Sequence, residues 1–181
     1  MSYGSDDRPA SPNFEFLSAI DEGLLIPALQ AERYAVEDPA VCLAKLRLFA
    51  ERTAKIAAAH LGIFVQEREE FVETLRTLSW RRAYDERIAD CFHRIRKDGN
   101  RAVHDGMAGA ADALRDLRLA HRLAEWVYRV VVDRNFRAPD FQLPPEGSGS
   151  ERTTADLREA RLRIKQLEIE NQRAREETEQ E

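Results

Sequence analysis

A short segment near the middle of the chain combines an arginine, an asparagine and a histidine at regular spacing. Arg96, Asn100 and His104 stand at positions i, i+4 and i+8. In one α-helix they occupy a single stripe spread over about 80°. An arginine binds phosphate with its planar guanidinium, a histidine transfers protons near neutral pH, and an asparagine can orient either. These three are therefore candidate catalytic residues, for binding a nucleotide phosphate or for cleaving RNA through the ribose 2′-hydroxyl.

The same three residues also have a purely structural interpretation. Gly99-Asn100 is typical of a bend or a helix end, where an asparagine satisfies backbone groups and His104 hydrogen-bonds a carbonyl of a neighbouring helix. Asp98 and Asp105 flank the segment, but the spacing fixes no second acid or base beside it. The residue types alone leave both interpretations open.

The local charge around this segment is opposite in sign to that of the whole chain. The formal net charge of the 181 residues is −5, which argues against a protein that coats nucleic acid non-specifically. From Arg81 to Arg101, however, there are seven basic residues and four acidic ones. Such a face can bind phosphate, or it can be a solvated helix surface with internal ion pairs. The predicted nucleic-acid-binding residues are Arg94, Arg96, Lys97 and Arg101.

Several classes of site lack their sequence pattern. The four histidines form no metal-ligand motif and there is no Walker-type glycine loop, so no metal, no cofactor and no ATP hydrolysis are predicted. His60 and His121 fall on apolar helical stripes and are expected in the core. Cys42 and Cys91 are expected to be reduced core thiols. No apolar stretch reaches the ~20 residues of a membrane span and no signal pattern begins the chain, so we expect a soluble, cytoplasmic protein.

The elements that must position these residues are helices. The chain is rich in Ala, Leu, Arg and Glu and has no convincing alternation typical of strands, which predicts an all-α fold of four to five helices. Asn13 is predicted to cap the first helix, with Pro27 kinking or splitting it. Asp38-Pro39 is predicted to begin the second helix and Gly62 to end it. The remaining helices are predicted near residues 67–79, from about Arg82 past Ile95, and over about 110–134.

The composition divides the first part of the chain into three segments. Residues 1–12 are polar and are predicted to be a disordered leader. Residues 13–140 are predicted to form the helical bundle, and residues 141–151 a linker with a Gly-Ser run. The apolar stretch 136–145 is expected to pack back on the bundle.

A heptad pattern marks the last part of the chain. Residues 152–181 place Leu157, Ile164 and Asn171 at a positions, which predicts a C-terminal coiled coil that pairs two copies. A single solvated helix is the alternative. The pattern still runs at Glu181, so we expect a truncated coiled coil within a longer protein.

Several stretches together resemble a known family. They are residues 13–17, 31–34, 38–39, 46–51, 95–104 and 120–126. The domain that they resemble has no known function and stands at the N-terminus of many restriction-type proteins, especially the motor and nuclease (R) subunits of type I restriction systems. It is similar to the HEPN superfamily of helical bundles. The resemblance covers residues 13–140, and its most specific part is the Arg-x-x-Gly-Asn-x-Ala-x-His string from Arg96 to His104.

The resemblance implies a bundle of four to five helices in a restriction or antiviral defence system, with a helicase or nuclease further along the chain or on a partner. It also implies a homodimer through the helices that bear the string. The string departs from the HEPN ribonuclease signature, since seven residues separate Arg96 from His104 and two separate Arg101 from His104. Three hypotheses follow: a non-catalytic interaction and regulatory module that senses DNA or RNA, a metal-independent ribonuclease that uses Arg96, Asn100 and His104, or a dimerisation scaffold.

Overall fold

The computed structural model describes residues 11–66, 70–106 and 108–144. These ranges contain helices and no β-strand, which confirms the predicted all-α class. The predicted leader up to residue 10, most of the linker and the predicted coiled coil over 152–181 lie outside the described residues. The helices are a short 3-10 helix Glu15–Ala19, α1 Glu22–Tyr34, α2 Pro39–His60, α3 Phe71–Trp80, α4 Glu86–Asp105 and α5 Ala110–Val131.

Helix α2 lies at the centre of the bundle and packs against α1, α4 and α5. Its inward side carries Leu43, Leu46 and Phe49, all fully buried. Burial of apolar side chains of this size is the main favourable contribution to the free energy of folding. The bundle core therefore forms around α2, and α4 and α5 pack side by side on it.

The ends of α2 are those that the sequence predicts. The Asp38 carboxylate accepts the Val41 backbone N–H at 3.3 Å, and Pro39 occupies the first turn, where its missing N–H is not needed. Gly62 has φ +66°, and the Ile63 N–H donates to the Ala58 carbonyl at 2.8 Å. This left-handed cap confirms the predicted role of Gly62.

The beginning of α1 differs from the prediction. Asp21, not Asn13, caps α1, and it accepts the Leu24 N–H at 3.2 Å. Asn13 is buried and binds a later segment instead, because its Oδ1 accepts the Gln142 N–H at 2.8 Å and its Nδ2 donates to the Gln142 carbonyl at 2.8 Å. The cap prediction was wrong because this long-range partner satisfies the amide side chain.

Pro27 lies inside α1, which continues unbroken from Glu22 to Tyr34. Proline has no N–H, so the carbonyl of the residue four positions earlier loses its helical partner. That residue is Gly23, and its carbonyl accepts a hydrogen bond from the Arg52 guanidinium of α2. A side chain of the neighbouring helix thus replaces the missing backbone donor, and α1 is not split.

The segment after α5 packs on the bundle as predicted. Phe136 lies against Tyr128 with 4.0 Å between ring centroids, and Phe141 lies 5.6 Å from the His121 ring. His121 is buried, as expected, whereas His60 is exposed, so its expected core position was wrong. His60 is the last residue of α2, beyond the part of the helix that its neighbours cover. Phe141 was assigned to the predicted linker 141–151, yet it packs on the bundle.

Candidate nucleic-acid interface

One continuous helix, α4, carries every candidate catalytic and nucleic-acid-binding residue that the sequence predicted. It begins at Glu86, where Asp85 accepts the Ile88 N–H at 3.0 Å, rather than near Arg82. It continues through Gly99 without a break and ends at Gly106 in the left-handed conformation, φ +63°. Because α4 packs against both α2 and α5, its two edges have different neighbours.

Gly99 allows a close approach of α4 to α2. A Cβ at this position would lie 2.6 Å from the Arg47 Cβ and 3.0 Å from the Leu43 carbonyl oxygen. Neither atom can move away easily, since one is next to the α2 backbone and the other belongs to it. The glycine of the string therefore fits the packing of two helices and is not a bend.

Asn100 is held by the same neighbour. Its Oδ1 accepts a hydrogen bond from Arg47 Nε at 2.6 Å, and Arg47 also lies 3.6 Å from the Glu51 carboxylate. The bond joins α4 to α2 and does not point toward His104. The structural interpretation expected Asn100 to satisfy backbone groups at a bend; Asn100 instead binds a side chain of the neighbouring helix, and α4 does not bend there.

Arg96 and His104 have no such partner. Arg96 is half-buried, and its Nε is shielded from solvent without a hydrogen bond. His104 is exposed. Neither side chain makes a hydrogen bond or ion pair with any residue in the described ranges. The structure therefore places Arg96, Asn100 and His104 along one edge of α4, but no hydrogen bond or shared partner joins them, and their catalytic role stays a prediction.

The opposite edge of α4 carries a buried carboxylate. Asp98 is 2% exposed and is surrounded by guanidinium groups. Its oxygens lie 2.9 Å from Arg94 Nε, 3.2 Å from Arg101 Nη2 and 2.7 Å from Arg115 Nη2 of α5. A buried carboxylate is tolerated only when such donors compensate for its lost hydration, so this cluster joins α4 to α5.

A second buried carboxylate lies next to it. Asp116 of α5 is fully buried, and its Oδ1 accepts from Arg115 at 3.1 Å, while its Oδ2 has no hydrogen-bond donor. Burial and the charge of Asp98 raise the pKa of Asp116 to about 6, and Arg115 opposes the shift. Arg115 also donates to Asp112 at 2.7 Å, and this bond lowers the pKa of Asp112.

A groove runs along the outer side of the α4–α5 pair, and we call it the α4–α5 groove. The first stretch is lined by basic residues from both helices and by one acidic residue, Asp90. The second stretch adjoins the first, since Arg87, Cys91 and Arg122 line both, and it continues toward the end of α3. The basic residues along the two stretches are Arg82, Arg87, Arg94, Lys97, Arg115, Arg122 and Arg129.

These basic residues differ in how they are neutralised. Arg94 and Arg115 hold Asp98, and Arg129 holds Glu125. In the part of the chain that the structure describes, the other four make no hydrogen bond or ion pair. They are Arg82, Arg87, Lys97 and Arg122. Asp85 and Asp90 also line the groove and pair with none of these cations. Four unpaired cations against two carboxylates leave an excess of positive charge, on a chain whose net charge is negative.

The sequence analysis found part of this groove. Of its predicted nucleic-acid-binding residues, Arg94 and Lys97 line the groove. Arg101 belongs to the Asp98 cluster, and Arg96 lines neither stretch. The sequence analysis missed Arg122 because that residue lies on α5. Only the packing of α5 against α4 brings Arg122 to the groove. The sequence signal was the arginines at positions 115, 118 and 122, which follow one another at helical spacing.

Other kinds of site have less support. Over residues 11–66, 70–106 and 108–144, no three His, Cys, Asp or Glu side chains gather as metal ligands. Cys42 and Cys91 are both buried thiols, and burial raises the pKa of each. None of the described helices combines the length and apolarity that crossing a bilayer requires.

Comparisons with known proteins give the chain a family. Residues 29–159 match the family described as "Domain of unknown function (DUF4145)". The chain is also 39% identical, over 138 residues, to the type I restriction enzyme EcoKI endonuclease subunit of Escherichia coli (strain K12). That match covers 75% of this chain but 12% of the relative, so the chain corresponds to a small part of a much longer protein. No solved structure gives a significant match. With more than half of its residues matched, the chain belongs to the DUF4145 family of domains.

Proposed function

We propose that this domain is a non-catalytic accessory module of a type I restriction-like protein, and that it binds nucleic acid through the α4–α5 groove. The observation that carries the proposal is the set of unneutralised cations along the groove, of which Arg87, Lys97 and Arg122 lie on its two helical walls. Phosphate groups are the natural counter-ions of such a surface, and binding by charge alone requires no base contact.

The buried carboxylate of Asp98 supports the same assignment. Asp98 holds Arg94 of its own helix and Arg115 of α5, so a buried ion pair joins the two helices that form the walls of the groove. The unneutralised cations then stand on a preformed surface. Preorganised charge binds a phosphate with a smaller loss of conformational entropy than charge on a mobile loop.

The proposed setting comes from the relative and from the family resemblance. An endonuclease subunit of a type I restriction enzyme needs DNA-directed parts, and the proposed module would hold nucleic acid near a helicase or nuclease region of the same or a partner chain. A HEPN-like homodimer through the bundle, with or without the predicted coiled coil, remains part of this proposal. Sedimentation velocity of the full chain measures its oligomeric state. A single monomeric species over a wide concentration range would refute the homodimer.

A binding experiment tests the groove. Arg87→Ala combined with Lys97→Ala removes two unneutralised cations and leaves the Asp98 cluster intact. We expect the affinity for a fluorescently labelled oligonucleotide, measured by anisotropy, to fall, and the slope of log K against log salt to decrease by about 0.7–0.9 for each lost phosphate contact.

The matched control is Arg76→Ala. Arg76 is an exposed arginine of α3 that is paired with Glu73, and it lines neither stretch of the groove, so its loss should leave the affinity unchanged. Equal weakening by the control and by the double substitution would show that binding depends on overall charge and would refute the groove.

A further inference from the structure

Two helix ends in this fold have the same backbone geometry but different residues. At the end of α2, Gly62 has φ +66° and the Ile63 N–H donates to the Ala58 carbonyl at 2.8 Å. At the end of α3, Arg82 has φ +52° and the Ala83 N–H donates to the Leu78 carbonyl at 3.0 Å. Glycine is favoured at such a position, because a side chain there is strained.

The side chain at the second of these ends faces the groove. Arg82 lines the stretch of the α4–α5 groove nearest to α3, and it has no ion pair among the described residues. A strained backbone that holds a charged side chain at a binding surface is a frequent feature of functional sites. The cap geometry therefore gives no reason for an arginine at this position, whereas its place in the groove does suggest one.

The two tryptophans of the chain also contrast with each other. Trp126 is packed, with Phe92 at 5.7 Å and Tyr84 at 6.0 Å between ring centroids. Trp80 is 81% exposed and ends α3 two residues before Arg82. Trp80 lines neither stretch of the groove, but it stands two residues from Arg82, which does. An exposed aromatic ring near cations can stack an unpaired base.

The dimensions of the groove limit what can enter it. Arg87 and Lys97 are ten residues apart on α4, which corresponds to about 15 Å along the helix. The rise of a fully stacked strand is about 3.4 Å per nucleotide, so this length accommodates at most about four or five nucleotides, and fewer when the strand is extended. A single strand can lay its phosphates along this length and still turn an unpaired base onto an exposed aromatic ring, whereas the bases of a duplex are already stacked on one another.

We propose that the ligand of the groove is single-stranded nucleic acid, with its phosphates on Arg82, Arg87, Lys97 and Arg122 and a base stacked on Trp80. This inference rests on the proposed function and adds the class of ligand. DNA and RNA share the chemistry that the groove would recognise. Both are therefore used as probes.

The test compares single strands with duplexes. The full chain is titrated into labelled homopyrimidine DNA or RNA strands of about 12 nucleotides and into a duplex of equal length. We expect the single strand to bind at least about ten-fold more tightly than the duplex, in contrast to a purely electrostatic surface, which favours the higher charge density of the duplex.

Two substitutions test the individual contacts. Arg82→Gly should decrease the salt slope by about 0.7 while the protein unfolds at no lower temperature, because glycine adopts this backbone conformation without strain. Trp80→Ala should weaken single-strand binding by about ten-fold, whereas Trp80→Phe keeps a stacking surface and should stay within about two-fold of the unsubstituted chain.

The outcomes separate this inference from the proposed function. If no oligonucleotide binds, the proposed function fails. If Arg87→Ala with Lys97→Ala abolishes binding but Trp80→Ala and Arg82→Gly do not affect it, or if the duplex binds as tightly as the single strand, the groove stands and the single-strand inference is overturned. A Trp80→Phe variant as weak as Trp80→Ala would also contradict stacking.

Discussion

The two edges of α4 present the same kinds of residue to different neighbours. On the edge that faces α2, Asn100 binds Arg47 and Gly99 gives the close helix contact. On the edge that faces α5, Asp98 collects three arginines, and beyond them Lys97 lines the groove without a partner of its own. The first edge is joined to the core by packing and one short hydrogen bond, and the second by buried charge.

This contrast teaches how to interpret a cluster of polar residues on a helix. The edge with the most distinctive sequence string, from Arg96 to His104, contains the residues with structural roles at Gly99 and Asn100. The edge whose sequence resembles an ordinary charged helix borders the unneutralised cations. Arg96 and His104 on the first edge also lack an internal partner, so a missing partner does not by itself mark a binding surface. The four unpaired cations near the second edge differ because they line one groove together.

The largest effect is expected from the α5-facing edge. Asp98→Ala removes the carboxylate shared by Arg94, Arg101 and Arg115. The loss of a buried partner should lower the free energy of unfolding by about 3 kcal/mol, less than for a fully buried ion pair because the arginines regain some hydration. Urea denaturation measures the change. Asp112→Asn, which alters a more exposed carboxylate bound to the same Arg115, should cost under about 1 kcal/mol and serves as the control.

The next effect tests the α2-facing edge. Gly99→Ala would normally stabilise a helix interior, yet here the Cβ would lie 2.6 Å from Arg47 Cβ. We expect the free energy of unfolding to fall by about 2 kcal/mol, as for overpacked cores. Gly109→Ala is the control, since the nearest atom to its Cβ is the Asp112 Oδ2 at 3.8 Å. A stabilised Gly99→Ala variant would disprove the close contact.

The second carboxylate of the α5-facing edge predicts a dependence on pH. The pKa of Asp116 is raised to about 6 in the folded state from 3.8, so the folded state binds more protons than the unfolded state between these values. This residue therefore makes the protein less stable as the pH rises from about 4 to about 6, and its full cost is present above pH 6. Asp116→Asn should remove that dependence and stabilise the protein at pH 7 by about 1–2 kcal/mol.

His121 acts in the opposite direction and must be separated from this effect. Burial lowers the pKa of His121, so its contribution costs stability as the pH falls below its ordinary value of 6.5. The difference between the unsubstituted chain and Asp116→Asn, measured by thermal unfolding from pH 4 to pH 8, cancels the His121 term. A difference that does not change with pH would contradict the raised pKa.

The smallest changes in stability are expected for two residues of the Arg96–His104 string. Asn100→Ala loses the bond to Arg47 and should cost about 1 kcal/mol, whereas His104→Ala changes an exposed side chain and should stay within about 0.5 kcal/mol. The same variants test the ribonuclease hypothesis. RNA cleavage in EDTA that stops with His104→Ala would support it, and the proposed accessory module predicts no cleavage by either protein.

Much of the fold was predictable from local sequence. The Asp38-Pro39 start and the Gly62 end of α2 follow from capping chemistry that involves only neighbouring residues. The Asn13 cap failed because Gln142, more than a hundred residues later, binds the same side chain. The effect of Pro27 on α1 could not be predicted locally either, because the hydrogen-bond donor that replaces its missing N–H comes from Arg52 of another helix.

For the candidate site, the sequence alone determined that a helix carries basic residues near Lys97 and that an Arg-x-x-Gly-Asn-x-Ala-x-His string lies on it. Helical periodicity and residue chemistry act over a few residues and can be deduced from the order of the chain. Only the tertiary structure decided which charges are neutralised and which are not. Ion pairing depends on distances of a few ångströms between residues of α4 and α5, and the packing of those helices sets these distances.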